Sequence, residues 1–84
     1  MKTGLEIATL INTGGRINST FDADEIEPDF HRLLVNALYD MGFTNAKSLS
    51  ACSKASSEHH LEKDGQKVEV ISANFLGRFT QVKN

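Results

Sequence analysis

The fold is decided by the stretch PDFHRLLVNALYDMGF, residues 28–43, which predicts one amphipathic helix from Pro28 to Met41. Pro28 suits a first helical turn, and Gly42 followed by Phe43 suits a helix end closed by a left-handed glycine. Because an apolar stripe must be covered, we expect this helix to pack on a sheet. The stripe recurs at helical spacing and consists of Phe30, Leu33, Leu34, Ala37, Leu38 and Met41.

Residues 58–72 predict a β-hairpin centred on Asp64-Gly65, a dipeptide typical of a type I′ turn. A two-residue loop at this point places Glu62 opposite Lys67, a favourable cross-strand pair. Side-chain alternation then creates two different faces. One face carries His59, Leu61, Val68 and Val70, and the other carries His60, Glu62, Lys67 and Glu69. A short helix over residues 57–63 is the competing interpretation.

The N-terminal segment allows two interpretations. Thr3 and Glu6 have the spacing of a capping box, and Gly14-Gly15 suits a helix stop, so a helix over residues 4–12 is favoured. The alternation of apolar residues between positions 5 and 11 leaves a strand open, with a second strand over residues 16–21.

The remaining segments give weaker signals. Residues 44–54 favour a third strand, although small residues and serines dominate there. Apolar side chains near the end are expected to dock on the core, and residues 80–84 are expected to fray. The apolar side chains are Phe75, Leu76 and Phe79.

These patterns predict a single small α+β domain over residues 1–84. It consists of one long amphipathic helix packed on a small antiparallel sheet, with a short N-terminal helix favoured. Hydrophobic residues make up 39% of the 84 residues and charged residues 24%, which fits an ordinary soluble domain. A single cysteine excludes an intramolecular disulfide, and no apolar run approaches the ~20 residues of a membrane span. We therefore expect a cytoplasmic protein without membrane contact.

The stretch DADEIEPD, residues 22–29, is called the acidic segment below. Its carboxylates complement the dipole of the following helix, and they also form a candidate surface for a protein partner that is basic. A calcium loop is excluded because its sixth position is Glu27 rather than glycine. The candidate partner-binding residues are Asp22, Asp24, Glu25, Glu27 and Asp29.

The histidines and the cysteine do not have the spacing of a metal or catalytic centre. Adjacent residues His59 and His60 point to opposite faces of a strand, and His31 and Cys52 belong to no metal-ligand pair. No cysteine-nucleophile signature surrounds Cys52. We expect no catalytic residue, no metal and no cofactor.

The favoured function is a non-enzymatic protein-binding module that regulates or inhibits a larger partner. The net charge of −2 divides into −4 over residues 1–42 and +2 over residues 43–84. A dedicated duplex-DNA binder usually needs a strongly basic surface, so that role is disfavoured. An RNA-binding domain that uses histidines and lysines of the hairpin is the alternative.

Three motifs resemble those of HicA-type mRNA interferases: Met41-Gly42-Phe43, His59-His60-Leu61 and the hairpin over residues 64–70. The resemblance implies a dsRBD-like fold and RNA cleavage, with His59 or His60 as the catalytic histidine. The chain departs from the family pattern because Ser57-Glu58 stands where the family has a glycine, and because the chain lacks the family's basic character. RNA cleavage therefore belongs to the alternative function.

Overall fold

Antiparallel strands form a five-stranded sheet with two helices on one face in the computed structural model, which describes residues 1–46, 56–73 and 79–84. The expected α+β class is confirmed. The order of strands in the sheet is β1-β5-β4-β3-β2. The elements are α1 (Gly4–Asn12), β1 (Asn18–Asp22), a 3₁₀ turn (Ala23–Glu25), α2 (Phe30–Asp40), β2 (Thr44–Asn45), β3 (Ser56–Lys63), β4 (Gln66–Ala73) and β5 (Phe79–Lys83).

Helix α2 is shorter than predicted, with 11 residues from Phe30 to Asp40. It begins two residues later than predicted, because Asp29 adopts a left-handed conformation with φ of 61° and Pro28 lies in a turn before the helix. Its end agrees with the prediction. Gly42 has φ of 102°, and the Phe43 N–H donates to the Leu38 carbonyl at 3.0 Å.

Helix α1 confirms the favoured interpretation of the N-terminal segment. Thr3 Oγ1 accepts from the Glu6 N–H at 3.1 Å, and Glu6 Oε1 accepts from the Thr3 N–H at 3.3 Å. The helix ends where Gly15 donates its N–H to the Leu10 carbonyl at 2.9 Å. The alternative strand over residues 5–11 is wrong, whereas β1 overlaps the second strand of that alternative.

The hairpin of β3 and β4 has the predicted register, with Lys63 opposite Gln66 and Glu62 opposite Lys67. Asp64 and Gly65 have φ of 49° and 83°, as a type I′ turn requires. Leu61, Val68 and Val70 are buried on the helix-facing side, as expected. The competing helix over residues 57–63 is therefore wrong.

The C-terminal residues overturn two expectations. Residues 79–83 form β5, which lies between β1 and β4 instead of fraying. Thr80 and Val82 point toward the helices and are buried. Because side chains alternate along a strand, Phe79 points to the other face of the sheet and is 38% exposed. Phe79 therefore does not dock on the core.

The core lies between the helices and the helix-facing side of the sheet. Phe21 of β1 and Phe30 of α2 meet there edge to face, with ring centroids 5.7 Å apart. The buried apolar residues are Ile7, Ala8, Ile11, Phe21, Ile26, Phe30, Leu34, Val35, Leu38, Phe43, Leu61, Val68, Val70 and Val82.

The predicted third strand is represented by β2, which covers two residues and pairs with β3. Residues 47–54 of that prediction lie outside the described residues, as do Phe75 and Leu76, and Cys52 is among them.

The two helices pack closely at Gly4, in the first turn of α1. A Cβ added at Gly4 would lie 2.5 Å from the Leu34 backbone nitrogen and 2.8 Å from the Leu33 carbonyl carbon. Both atoms belong to the backbone of α2, so no side-chain rotation can relieve the contact. Glycine at this position sets the distance between the helices.

Replacing Gly4 with alanine should lower the free energy of unfolding by about 1–3 kcal/mol, since the helices must separate to admit a methyl group. Chemical denaturation with circular dichroism measures the change. Leu5→Ala is the matched control on the same helix: Leu5 is 62% exposed, and its truncation should cost at most about 0.5 kcal/mol. Equal stability of Gly4→Ala and the parent protein would contradict the close approach.

Candidate functional site

The five predicted partner-binding residues lie in the connection from β1 to α2. Asp22 ends β1, Asp24 and Glu25 lie in the 3₁₀ turn, and Asp29 precedes α2. All are exposed except Glu27, which is half-buried. The structure therefore brings the candidates together on one segment of the surface.

Three of these carboxylates make internal contacts. Glu25 Oε1 accepts from the Asp22 N–H at 2.8 Å, and Glu27 Oε2 accepts from the Gly4 N–H at 2.6 Å. The second contact places a carboxylate at the N-terminus of α1, where the helix dipole favours negative charge. Asp29 Oδ2 lies 3.1 Å from an Arg32 guanidinium nitrogen, but both side chains are more than 60% exposed, so this pair adds little stability.

Asp22 and Asp24 differ from the other three carboxylates. Both are exposed, and neither has an ion-pair partner within residues 1–46, 56–73 and 79–84. Their charges remain available to a partner.

A second candidate site is a series of hydrogen-bonded side chains on the helix-facing side of the sheet, called the polar chain below. Thr80 Oγ1 lies 2.7 Å from Ser72 Oγ, and Ser72 Oγ lies 2.7 Å from His31 Nδ1. His31 Nε2 in turn lies 2.7 Å from His59 Nδ1. The polar chain thus links β5, β4, α2 and β3.

The protons of the polar chain can be arranged in two directions. In one, His59 donates to His31, His31 donates to Ser72, and Ser72 donates to Thr80. In the other, every donor becomes an acceptor, because each hydroxyl and each neutral imidazole can play both roles. Heavy-atom positions are compatible with both tautomers of His31. Within the described part of the chain, no buried side-chain nitrogen or oxygen lacks a partner.

Burial, and secondarily the neighbouring His59, lowers the pKa of His31 from 6.5 to about 4. His31 is therefore neutral at physiological pH. The Ser72–His31 contact has the distance of a nucleophile and its base, but Ser72 is only 8% exposed. A base with so low a pKa is also poorly matched to activating a hydroxyl near pH 7. The geometry favours a structural or ligand-binding role over nucleophilic catalysis.

His31 lies between two surface grooves. One groove, of about 320 Å³, is bordered by Pro28, Phe79 and Thr80. The other, of about 380 Å³, is bordered by Val35, Tyr39 and His59. His31 is thus shared by both grooves, with one ring nitrogen directed to Ser72 and the other to His59.

The hairpin residues invoked for RNA binding are largely engaged within the chain. His60 points to the face of the sheet opposite the helices, where its ring nitrogens lie 2.9 Å from Glu58 and 3.5 Å from Glu69. Lys63 donates to Asn12 Oδ1 at 2.9 Å and to the Met41 carbonyl at 2.7 Å. The structure separates His59 and His60 onto opposite faces, as the sequence predicts.

The sequence analysis missed Ser72 and Thr80. A signal for Ser72 was present, since it follows Val68 and Val70 in the alternation of inward-facing positions. A polar side chain at a position that faces the core needs a buried hydrogen-bond partner. The sequence does not identify that partner, because residues 80–84 are predicted to fray and Thr80 lies among them.

No protein-family model matches the chain, and neither the curated proteins nor the solved structures include a significant match. Neither helix in the described ranges has the length and apolar character required to cross a bilayer. Among the same residues, no three or more His, Cys, Asp or Glu side chains converge as metal ligands.

Stability should fall as the pH drops from about 6.5 toward 4. In that range His31 takes up a proton in the unfolded chain but not in the folded protein, so protonation favours unfolding. We expect a loss of about 1–2 kcal/mol, reduced by the partial exposure of the ring. Urea unfolding between pH 7 and pH 5, with a chelator present, measures this slope.

His31→Gln should flatten the slope, and His60→Gln, which changes the opposite face, should preserve it. A slope that persists in His31→Gln would assign the pH dependence to another group.

Proposed function

We propose that the protein is a non-enzymatic binding module that engages a protein partner with a basic surface through the acidic segment, and thereby regulates or inhibits that partner. One observation carries the proposal. Asp22 and Asp24 are exposed and have no ion-pair partner in the described residues, and they lie on a segment whose shape is fixed by internal hydrogen bonds.

The acidic segment is held from several directions. The backbone of Lys2 bridges to the segment, donating to the Glu25 carbonyl at 2.9 Å and accepting from the Glu27 N–H at 3.0 Å. The Glu27 carboxylate adds a contact to Gly4. A surface that is already ordered loses less conformational entropy on binding, so its contacts contribute more to affinity.

Clustered negative charge also favours rapid and selective encounter with a basic surface. Arg32 offsets the negative charge of Asp29, and the Glu27 carboxylate accepts a hydrogen bond at the N-terminus of α1. The affinity for the partner should therefore depend most on Asp22 and Asp24.

The geometry gives the RNA-binding alternative less support. It relied on lysines and histidines of the hairpin, but Lys63 contacts two oxygen atoms within the chain, and His59 is hydrogen-bonded to His31. Lys67 remains exposed, with Glu62 opposite it in the register.

Changing Asp22 and Asp24 together to asparagine should weaken partner binding without loss of stability. Affinity capture at low salt, with nuclease treatment, followed by mass spectrometry identifies proteins retained by the parent chain. We expect a retained protein to bind the double variant about tenfold more weakly, since two charged contacts are lost. Binding of the purified partner should also weaken as salt is raised.

Asp40→Asn is the matched control, because Asp40 is an exposed carboxylate at the other end of α2. It should leave the affinity unchanged. Equal binding by the parent chain and the Asp22/Asp24 variant would refute a role for the acidic segment. Capture that disappears with nuclease treatment would favour the RNA-binding alternative instead.

A further inference from the structure

We propose that His31 and His59 form a binding site for a divalent transition-metal ion of the Zn²⁺, Ni²⁺ or Cu²⁺ class, with water completing the coordination. This goes beyond the sequence analysis, which predicts no metal centre, and it is independent of the proposed partner binding. The observation behind it is that His31 Nε2 and His59 Nδ1 face each other at 2.7 Å.

The distance between the two nitrogens is close to that of neighbouring metal ligands. Bonds of about 2.1 Å from metal to nitrogen place two adjacent imidazole nitrogens about 3.0–3.4 Å apart. To admit an ion in the ligand geometry of zinc, the rings must separate by about 0.3–0.7 Å and turn so that both nitrogen lone pairs point at the ion instead of at each other. The rings already meet edge to face, with centroids 4.9 Å apart.

The rest of the polar chain acts as the outer support that histidine ligands usually have. Ser72 Oγ contacts His31 Nδ1, and Thr80 contacts Ser72 in turn. When His31 donates its Nδ1 proton to Ser72, the lone pair of Nε2 points toward His59.

The surroundings permit a cation. The site opens onto the groove of about 380 Å³ that also includes Asp29 and Arg32. Their side chains pair at 3.1 Å, so the carboxylate offsets the positive charge of the guanidinium. The groove provides space for the water molecules that complete the coordination.

The ligand chemistry selects the metal. Imidazole nitrogens suit zinc, nickel and copper, whereas magnesium and calcium prefer oxygen ligands. Binding replaces the hydrogen bond between the rings and keeps one proton on each neutral imidazole. The proton of His59 moves from Nδ1 to Nε2, or that of His31 moves from Nε2 to Nδ1, so neither neutral ring has to lose its proton.

His60 provides the matched control. Its ring nitrogens face Glu58 and Glu69 in different directions on the opposite side of the sheet, so it forms the competing surface site for an added metal. Cys52 is replaced by serine throughout the test, because a thiolate binds the same ions.

The test uses isothermal titration of the full chain with Zn²⁺ and Ni²⁺ after chelator treatment. We expect one ion per chain, about tenfold or greater weakening in His59→Gln and His31→Gln, and a smaller loss in Ser72→Ala that reflects its supporting role. His60→Gln should retain the affinity within about twofold, and Mg²⁺ should not bind. Undiminished affinity in His59→Gln, or no binding by the parent chain, would overturn the proposal.

A second measurement does not depend on the folding of the His31 and His59 variants. Electron paramagnetic resonance of the Cu²⁺-loaded parent chain should show coupling to imidazole nitrogens, and His60→Gln should leave that coupling unchanged. A spectrum without nitrogen coupling, or one that His60→Gln abolishes, would place the ion elsewhere.

Discussion

The two helices cover only one face of the sheet, and this constraint governs both the core and the candidate sites. Each inward-facing position of β3, β4 and β5 must be apolar or must find a partner under the helices. At the centre of the sheet the first solution applies, with Leu61, Val70 and Val82 fully buried. Toward the end of the sheet near the start of α2, the second applies, and the polar chain replaces apolar packing.

Elements with local determinants could be predicted from the sequence. The turn at Asp64-Gly65 fixes the register of β3 and β4 because two adjacent residues adopt positive φ. The end of α2 is marked in the sequence by Gly42 and Phe43, and the start of α1 is marked by the capping box of Thr3 and Glu6. In each of these cases, the signal lies in residues that are close in sequence, although distant contacts such as Glu27 to Gly4 and Lys63 to Met41 add to it.

Elements with distant determinants could not be predicted in the same way. Strand β5 is ordered because β1 and β4 pair with it on its two sides. Neither pairing can be predicted from the sequence of residues 79–83 alone. The partners in the polar chain depend on that strand, since Thr80 reaches Ser72 only after β5 has joined the sheet. The left-handed conformation of Asp29 likewise reflects its surroundings rather than a sequence preference strong enough to identify.

The start of α2 connects the acidic segment to the polar chain. Asp29 directs the chain into the helix, and the Phe30 N–H donates back to the Glu27 carbonyl at 3.1 Å. The side chain of Glu27 meanwhile contacts the first turn of α1, and His31 follows Phe30 by one residue. The same turn therefore joins the segment of the exposed carboxylates to the helix that carries the imidazole. Because Phe30 is buried against Phe21, neither group can shift far without disturbing the core, so both candidate sites are held on a rigid element, as precise recognition requires.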